Sequence, residues 1–134
     1  MLPKTLKEIV NVFKSWADLH LQVERFEYGE FSTISISKDY DYPLVFVEQS
    51  NIGQTTASFN IYFLALWDKG VDTTLLDAFN ETSNIMHDFT SYIEETLEIA
   101  DFQLAPPFKS NDDVAIGWQL NITINYFNIT DCNG

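Results

Sequence analysis

The feature that most constrains this chain is the alternation between Val114 and Tyr126. Apolar residues stand at every second position: Val114, Ile116, Trp118, Leu120, Ile122, Ile124 and Tyr126. Between them lie Ala115, Gly117, Gln119, Asn121, Thr123 and Asn125. A period of two sustained this far describes a strand with one buried face and one wet face. β-branched and aromatic residues dominate the buried set, which suits a pleated surface. At ~3.3 Å per residue the strand spans roughly 40 Å, long for a single strand. Gly117 is expected to mark a bulge or a close backbone approach partway along it. A strand of this kind reads as central, so the other elements have to pair with it or cover it.

The length of 134 residues corresponds to one domain with a real core. Residues 1–134 therefore read as a single domain, with 128–134 as a flexible tail. A hydrophobic fraction of 46% and an aromatic fraction of 15% exclude a disordered chain despite its acidity. No apolar run approaches the ~18 residues of a membrane span, and the start lacks a signal peptide's apolar core. Synthesis in the cytoplasm is the expectation. The single cysteine, Cys132, has no partner in the chain, which excludes a disulfide framework or a zinc site built on several cysteines. Seven basic residues against twenty acidic ones give a formal charge of −13. Such a surface repels nucleic acid backbones, so specific DNA or RNA binding is a poor reading. The charge serves solubility, a surface that must not adhere to DNA, or a basic partner.

Leu6, Ile9, Val10, Phe13, Trp16 and Ala17 recur at three- and four-residue steps and predict a helix ending near Asp18. Thr5 is its expected N-cap, with Glu8 completing a capping box. Alternation at Leu19, Leu21 and Val23, continuing to Phe26 and Tyr28, predicts a strand, and Phe31 to Ile36 predicts another. Leu44 to Val47 reads as a short apolar strand, and Gln49 to Thr55 as a loop or hairpin tip. Ala57 to Trp67 is a long strand whose second face becomes apolar at Tyr62, Leu64 and Leu66. Asp72 or Thr73 caps a second helix that runs to about Glu98, with Leu75, Leu76, Phe79, Met86, Phe89, Ile93 and Leu97 on its stripe. Phe102 and Leu104 begin a strand expected to stop at Pro106-Pro107. The predicted class is α+β: a mainly antiparallel, twisted sheet with two helices packed on one face, in the order α-β-β-β-β-α-β-β.

Few residues propose chemistry. His20 falls at a helix–strand boundary and His87 on the second helix. Neither has a histidine or cysteine at ligand spacing. His87 and Asp88 are adjacent on a helix and point in different directions, so they do not read as a dyad. Glu94-Glu95 and Asp112-Asp113 read as solvated faces. There is no calcium loop, nucleophile elbow or phosphate-binding glycine loop. No catalytic, cofactor-binding or metal-binding residue is expected, and the chain reads as a non-enzyme. Three Asn-x-Thr triplets, at Asn80, Asn121 and Asn128, read as chance matches without a secretory signal. Trp16, Phe13, Phe79, Phe89 and Trp118 fit core positions. Tyr28, Tyr40 and Tyr42 cluster near loops, where tyrosines favour protein contacts.

Several segments, taken in order, resemble a known family. Phe26-Glu27-Tyr28-Gly29-Glu30 is similar to an aromatic-glycine-acid segment of small neck and tail proteins of long-tailed bacteriophages. Asp41-Tyr42-Pro43-Leu44 follows, then the long Tyr/Phe-rich strand with its acidic turn, an acidic helix, and the late strand Val114-Ala115-Ile116-Gly117-Trp118-Gln119-Leu120-Asn121. A short tail closes on Asp131-Cys132. The pattern covers Leu6 to Cys132. The resemblance implies a tail terminator or related neck ring protein of the virion: a homo-oligomeric ring, a hexamer by expectation, that caps the tail tube and ends its growth. Its implied partners are the tail tube protein and head-side neck proteins, and DNA would pass through its bore without specific binding. No cofactor or membrane is implied. Projecting loops commonly touch neighbours in such rings, which makes Tyr40, Tyr42, Asn51, Gln54, Asn111 and Asp112 the candidate ring or tube contacts. The alternative is a small monomeric ligand-binding α+β module.

Overall fold

Thr5 starts the first helix as expected. Its backbone is extended and its Oγ1 accepts the Glu8 N–H at 3.1 Å, satisfying one of the donors a helix start leaves unpaired. The structure, a computed structural model, describes residues 3, 5–29, 41–67, 72–109 and 115–126, with backbone alone at 72–74, 104–106 and 108–109. Helix α1 spans Leu6–Leu19 and buries Ile9, Phe13, Trp16 and Ala17. Of the strand expected from Leu19 to Tyr28, the part from Arg25 to Tyr28 is a strand and the stretch before it is a turn. The His20 N–H bonds Trp16 and Ala17 carbonyls, and the Val23 N–H bonds the His20 carbonyl, so this backbone is closed on itself and offers no ladder. Leu21 consequently stands 96% exposed.

Among the described residues, five strands follow in one sheet: β1 (Arg25–Tyr28), β2 (Leu44–Ile52), β3 (Thr56–Leu66), β4 (Ile99–Lys109) and β5 (Ala115–Asn125). Helix α2 (Asp72–Thr96) lies between β3 and β4. The strand order is β1-β2-β3-β5-β4. β1 runs parallel to β2, and the other neighbours are antiparallel. β4 is therefore parallel to β3, which is why a helix-length crossover joins them and β5 inserts between. The α+β class with two helices on a mostly antiparallel sheet is as predicted. The strand expected over 31–36, and the tail at 128–134, lie outside the described residues.

β5 is internal to the sheet, and every residue of β3 pairs with it, from Thr56↔Asn125 to Leu66↔Ala115. Gly117 is the close approach and not a bulge: a Cβ there would stand 1.7 Å from the Phe63 carbonyl oxygen, while the β3–β5 register continues unbroken. The bulges lie elsewhere. β2 runs past Val47 to Ile52, with a register shift between Gln49 and Asn51. β4 passes through Pro106-Pro107, where a strand end was expected, with shifts between Ile99 and Asp101 and between Leu104 and Pro107. Prolines are tolerated there because β4 is the last strand in the sheet order and the ladder is interrupted beside them.

The helices share one face of the sheet. Phe89 of α2 is fully buried against Phe13 (5.4 Å between ring centroids), Trp16 (5.0 Å) and Phe63 (5.5 Å), and Phe13 meets Phe59 edge-on at 5.2 Å. Val45, Ile61, Leu120, Ile122 and Ile124 complete this core. Thr82, buried on α2, returns its hydroxyl proton to the Ala78 carbonyl at 2.7 Å. Leu76, assigned to the stripe from sequence, is 71% exposed, one step round the helix from Leu75. A second apolar cluster, Leu44, Phe46, Tyr62, Leu64 and Ala115, lies on the opposite face of the sheet.

Candidate functional site

On the face away from the helices, strand register aligns polar side chains in rows. Glu48 pairs with Asn60, Asn60 with Asn121, and Asn121 with Gln103, giving one row across β2, β3, β5 and β4. The next row is Asn51, Ser58, Thr123 and Asp101. Residues directly opposite in a ladder project to the same side, so both rows share one surface. Asn121 Nδ2 donates to Asn60 Oδ1 at 2.9 Å, and Asn60 Nδ2 donates to Glu48 Oε1 at 3.4 Å. The hydroxyls of Ser58 and Thr123 are 2.8 Å apart. Tyr62 OH donates to Glu48 at 3.5 Å. Burial, reinforced by the Glu48 charge and hydrogen bond, pushes the Tyr62 phenol up to about 12. The surface is thus an array of amide and hydroxyl donors and acceptors with two carboxylates, Glu48 on β2 and Asp101 on β4.

No lysine or arginine occurs in β2, β3 or β5. Helix α2 also has none, while carrying Asp72, Asp77, Glu81, Asp88, Glu94 and Glu95. On α1 and β1 the cations are Lys7, Lys14 and Arg25. Lys14 pairs with Asp18 at 2.9 Å and Arg25 with Glu27 at 2.6 Å. Negative charge is therefore concentrated on the α2 side.

The candidate contact residues fall at two ends of the sheet. Asn51 and Gln54 are exposed at the β2–β3 hairpin, whose turn is closed by a Gly53 N–H to Thr56 carbonyl bond of 2.7 Å. Of the loop or hairpin tip expected over Gln49 to Thr55, the hairpin is what forms: residues 53–55 make its tip, and Asn51 lies in the β2 arm opposite Ser58. Tyr42 is half-buried beside the Leu44–Phe46 cluster, at the other end of β2 and roughly 30 Å away along the strand. With Pro43, Leu66, Asp77 and Glu81 it lines a cleft of about 260 Å³. The peptide bond between Tyr42 and Pro43 is cis. Tyr40, Asn111 and Asp112 lie outside the described residues. Tyr28 is 41% exposed, its hydroxyl donating to Gln49 at 3.0 Å, and partial burial raises its phenol above the ordinary value.

Sequence reasoning placed Asn121, Thr123 and Asn125 on a wet face but did not join them to Glu48 or Asn60. The signal was the matching alternation at Ser58 and Asn60; what was missing was the register between strands. The histidines also resolve differently. His87 is exposed, whereas His20 bonds Asp88 across 68 positions of sequence at 2.9 Å. Among the described residues, no group of three or more His, Cys, Asp and Glu could hold a metal ion, and no helix is long and apolar enough to cross a membrane. Compared with known proteins, the chain matches no family model and no curated sequence.

Proposed function

We propose that this protein is a structural component of a long-tailed phage virion, a ring at the tail–neck junction that caps the tail tube and lets DNA pass. The observation that carries the reading is the absence of cations from the three adjacent strands β2, β3 and β5 and from α2. A conduit for a polyanion must not hold it, and a neutral-to-acidic sheet surface offers phosphates no counter-charge. The segmental resemblance from Leu6 to Cys132 supplies the biological setting. An uneven distribution of charge between the α1 and α2 sides suits head-to-tail contacts, the type that closes into rings.

Native mass spectrometry and negative-stain imaging at high concentration, with and without purified tail tubes, test the reading. Closed rings with a central hole, alone or on tube ends, are the expected result. A monomer that ignores tube ends would overturn it. A melting temperature that then rose with a small apolar ligand would favour the ligand-binding module instead.

A further inference from the structure

One imidazole joins the end of α1, the turn after it and α2. The His20 backbone caps the helix through its N–H, 3.0 Å from the Trp16 carbonyl and 3.2 Å from that of Ala17. Its ring packs on Trp16, with centroids 5.0 Å apart. Nδ1 lies 3.2 Å from the Gln22 backbone N–H, and Nε2 lies 2.9 Å from Asp88 Oδ2 on α2. A backbone N–H can only donate, so Nδ1 must present its lone pair. The imidazole proton then resides on Nε2 and is donated to the carboxylate. The partners on both sides specify one neutral tautomer.

We propose that His20 is a proton-operated latch: neutral, it ties the end of α1 to α2 and closes the turn behind it; protonated, it releases that turn. A second proton can enter the ring only at Nδ1, where it confronts the Gln22 N–H. Two donors cannot share that position, and one of them has to move. The Asp88 bond survives, because a carboxylate holds an imidazolium more strongly than a neutral ring. The C-terminal end of α1 favours the same charge. The strain falls on Gln22. The other charged groups nearby are already engaged or exposed: Asp18 of α1 pairs with Lys14 at 2.9 Å, Glu24 is exposed beyond the turn, and His87 is exposed beside Asp88.

The released segment is short and bounded. It starts at the helix cap and ends where the Glu24 N–H bonds the Pro43 carbonyl at 3.0 Å, at the root of β1. The 3.3 Å bond from the Val23 N–H to the His20 carbonyl closes the turn between these points. Leu21 rides on that turn, 96% exposed. The latch therefore changes the presentation of one apolar side chain while leaving the sheet in place.

The test is NMR of the labelled full chain between about pH 8 and pH 5, the range in which histidine ordinarily takes up a proton. At the upper end, long-range couplings should report a proton on Nε2 and none on Nδ1. As the ring titrates, the Gln22 amide should shift with the same midpoint. Its exchange should rise about fivefold beyond the intrinsic pH effect, as for loss of one exposed hydrogen bond. Amides of β3 and β5 should not respond. Asp88→Asn keeps an acceptor at Nε2, so the Gln22 amide should still follow the ring. His20→Phe keeps the Trp16 packing and should abolish the Gln22 step. An Nδ1-protonated neutral tautomer, a Gln22 amide indifferent to the ring's titration, or a step that persists in His20→Phe would each overturn the latch.

Discussion

Replacing Gly117 with alanine sets two effects of opposite sign against each other. Alanine restricts the unfolded chain and on that ground alone stabilises by roughly 0.4–1 kcal/mol. In the folded chain its Cβ would sit 1.7 Å from the Phe63 oxygen and 2.8 Å from the Phe63 carbonyl carbon, where real contacts do not fall below 3.0 Å. Both atoms belong to backbone, so no side chain can swing aside. β3 and β5 must separate by more than an ångström near the Phe63↔Trp118 and Leu64↔Gly117 pairs. Gly117 is buried and Phe63 is 1% exposed, so water does not readily replace ladder bonds stretched there. About two backbone hydrogen bonds left unmade, at ~1–3 kcal/mol each, outweigh the entropic gain. The net expectation is a loss of about 2–4 kcal/mol. In urea unfolding, with a slope of ~1.5 kcal/mol per molar for a chain of this size, the midpoint should fall by roughly 1.3–2.7 M. A midpoint that stayed put or rose would mean that β5 does not pass this close to Phe63, and the register of the central strand pair would have to be reconsidered.

Phe89→Ala should cost about 3–5 kcal/mol, because it empties the contact between Phe13, Trp16 and Phe63; a melting curve displaced by less than ~5 °C would contradict that packing. Thr5→Ala should cost ~1 kcal/mol by chemical denaturation, and Thr5→Ser very little, since serine keeps the hydroxyl that accepts the Glu8 N–H. Leu21→Ser should change stability by less than ~0.5 kcal/mol, which separates an exposed turn residue from a strand residue facing the core. The Tyr62 phenol makes stability fall at high pH. Its pKa in the folded chain, about 12, exceeds the ordinary 10.0, so its contribution is complete below pH 10 and is lost as pH rises through about 12. Subtracting a Tyr62→Phe titration from that of the parent, followed by phenolate absorbance, isolates this group, and Glu48→Gln should move its midpoint down.

Local signals were legible wherever one stretch of chain contains its own reason. Thr5 with the stripe Ile9, Phe13 and Trp16 specifies a helix without reference to anything distant, and the alternation of β5 is similarly self-sufficient. Most failures came where a nonlocal fact decides. One miss is local: Leu19, Leu21 and Val23 alternate, but the His20 backbone bonds with Trp16, Ala17 and Val23 turn the chain there, and the strand begins only at Arg25. Pro106-Pro107 reads as a strand terminator because a central strand could not accommodate it. β4 accepts the prolines because it lies at the edge, a position that depends on β5 inserting beside β3. Leu76 looked like a stripe residue because leucine is apolar, although its angular position beside Leu75 turns it to solvent. The rows Glu48–Asn60–Asn121 and Ser58–Thr123, and the His20–Asp88 bond, depend on strand register and helix docking. No pattern within one segment encodes either.

The two faces of the sheet divide the work of the sequence unequally. The helix-facing side holds the large aromatic rings and supplies most of the burial that drives folding. The other side changes character along its length, from Leu44, Phe46 and Leu64 at one end to Glu48, Asn60 and Asn121 at the other. Hydrogen bonds among those amides add little net stability, because each group would otherwise bond to water. What they add is fixed geometry: Asn60 is held from both sides, by Glu48 and by Asn121, and so the carboxylate and amides keep a defined spacing. A wet sheet surface needs only polarity, which lysine, glutamate or threonine would supply equally well. Uncharged amides and hydroxyls between two carboxylates, Glu48 and Asp101, with no cation on three adjacent strands, form a narrower choice than solubility requires, and that excess over the folding requirement is the physical basis for assigning this face a role.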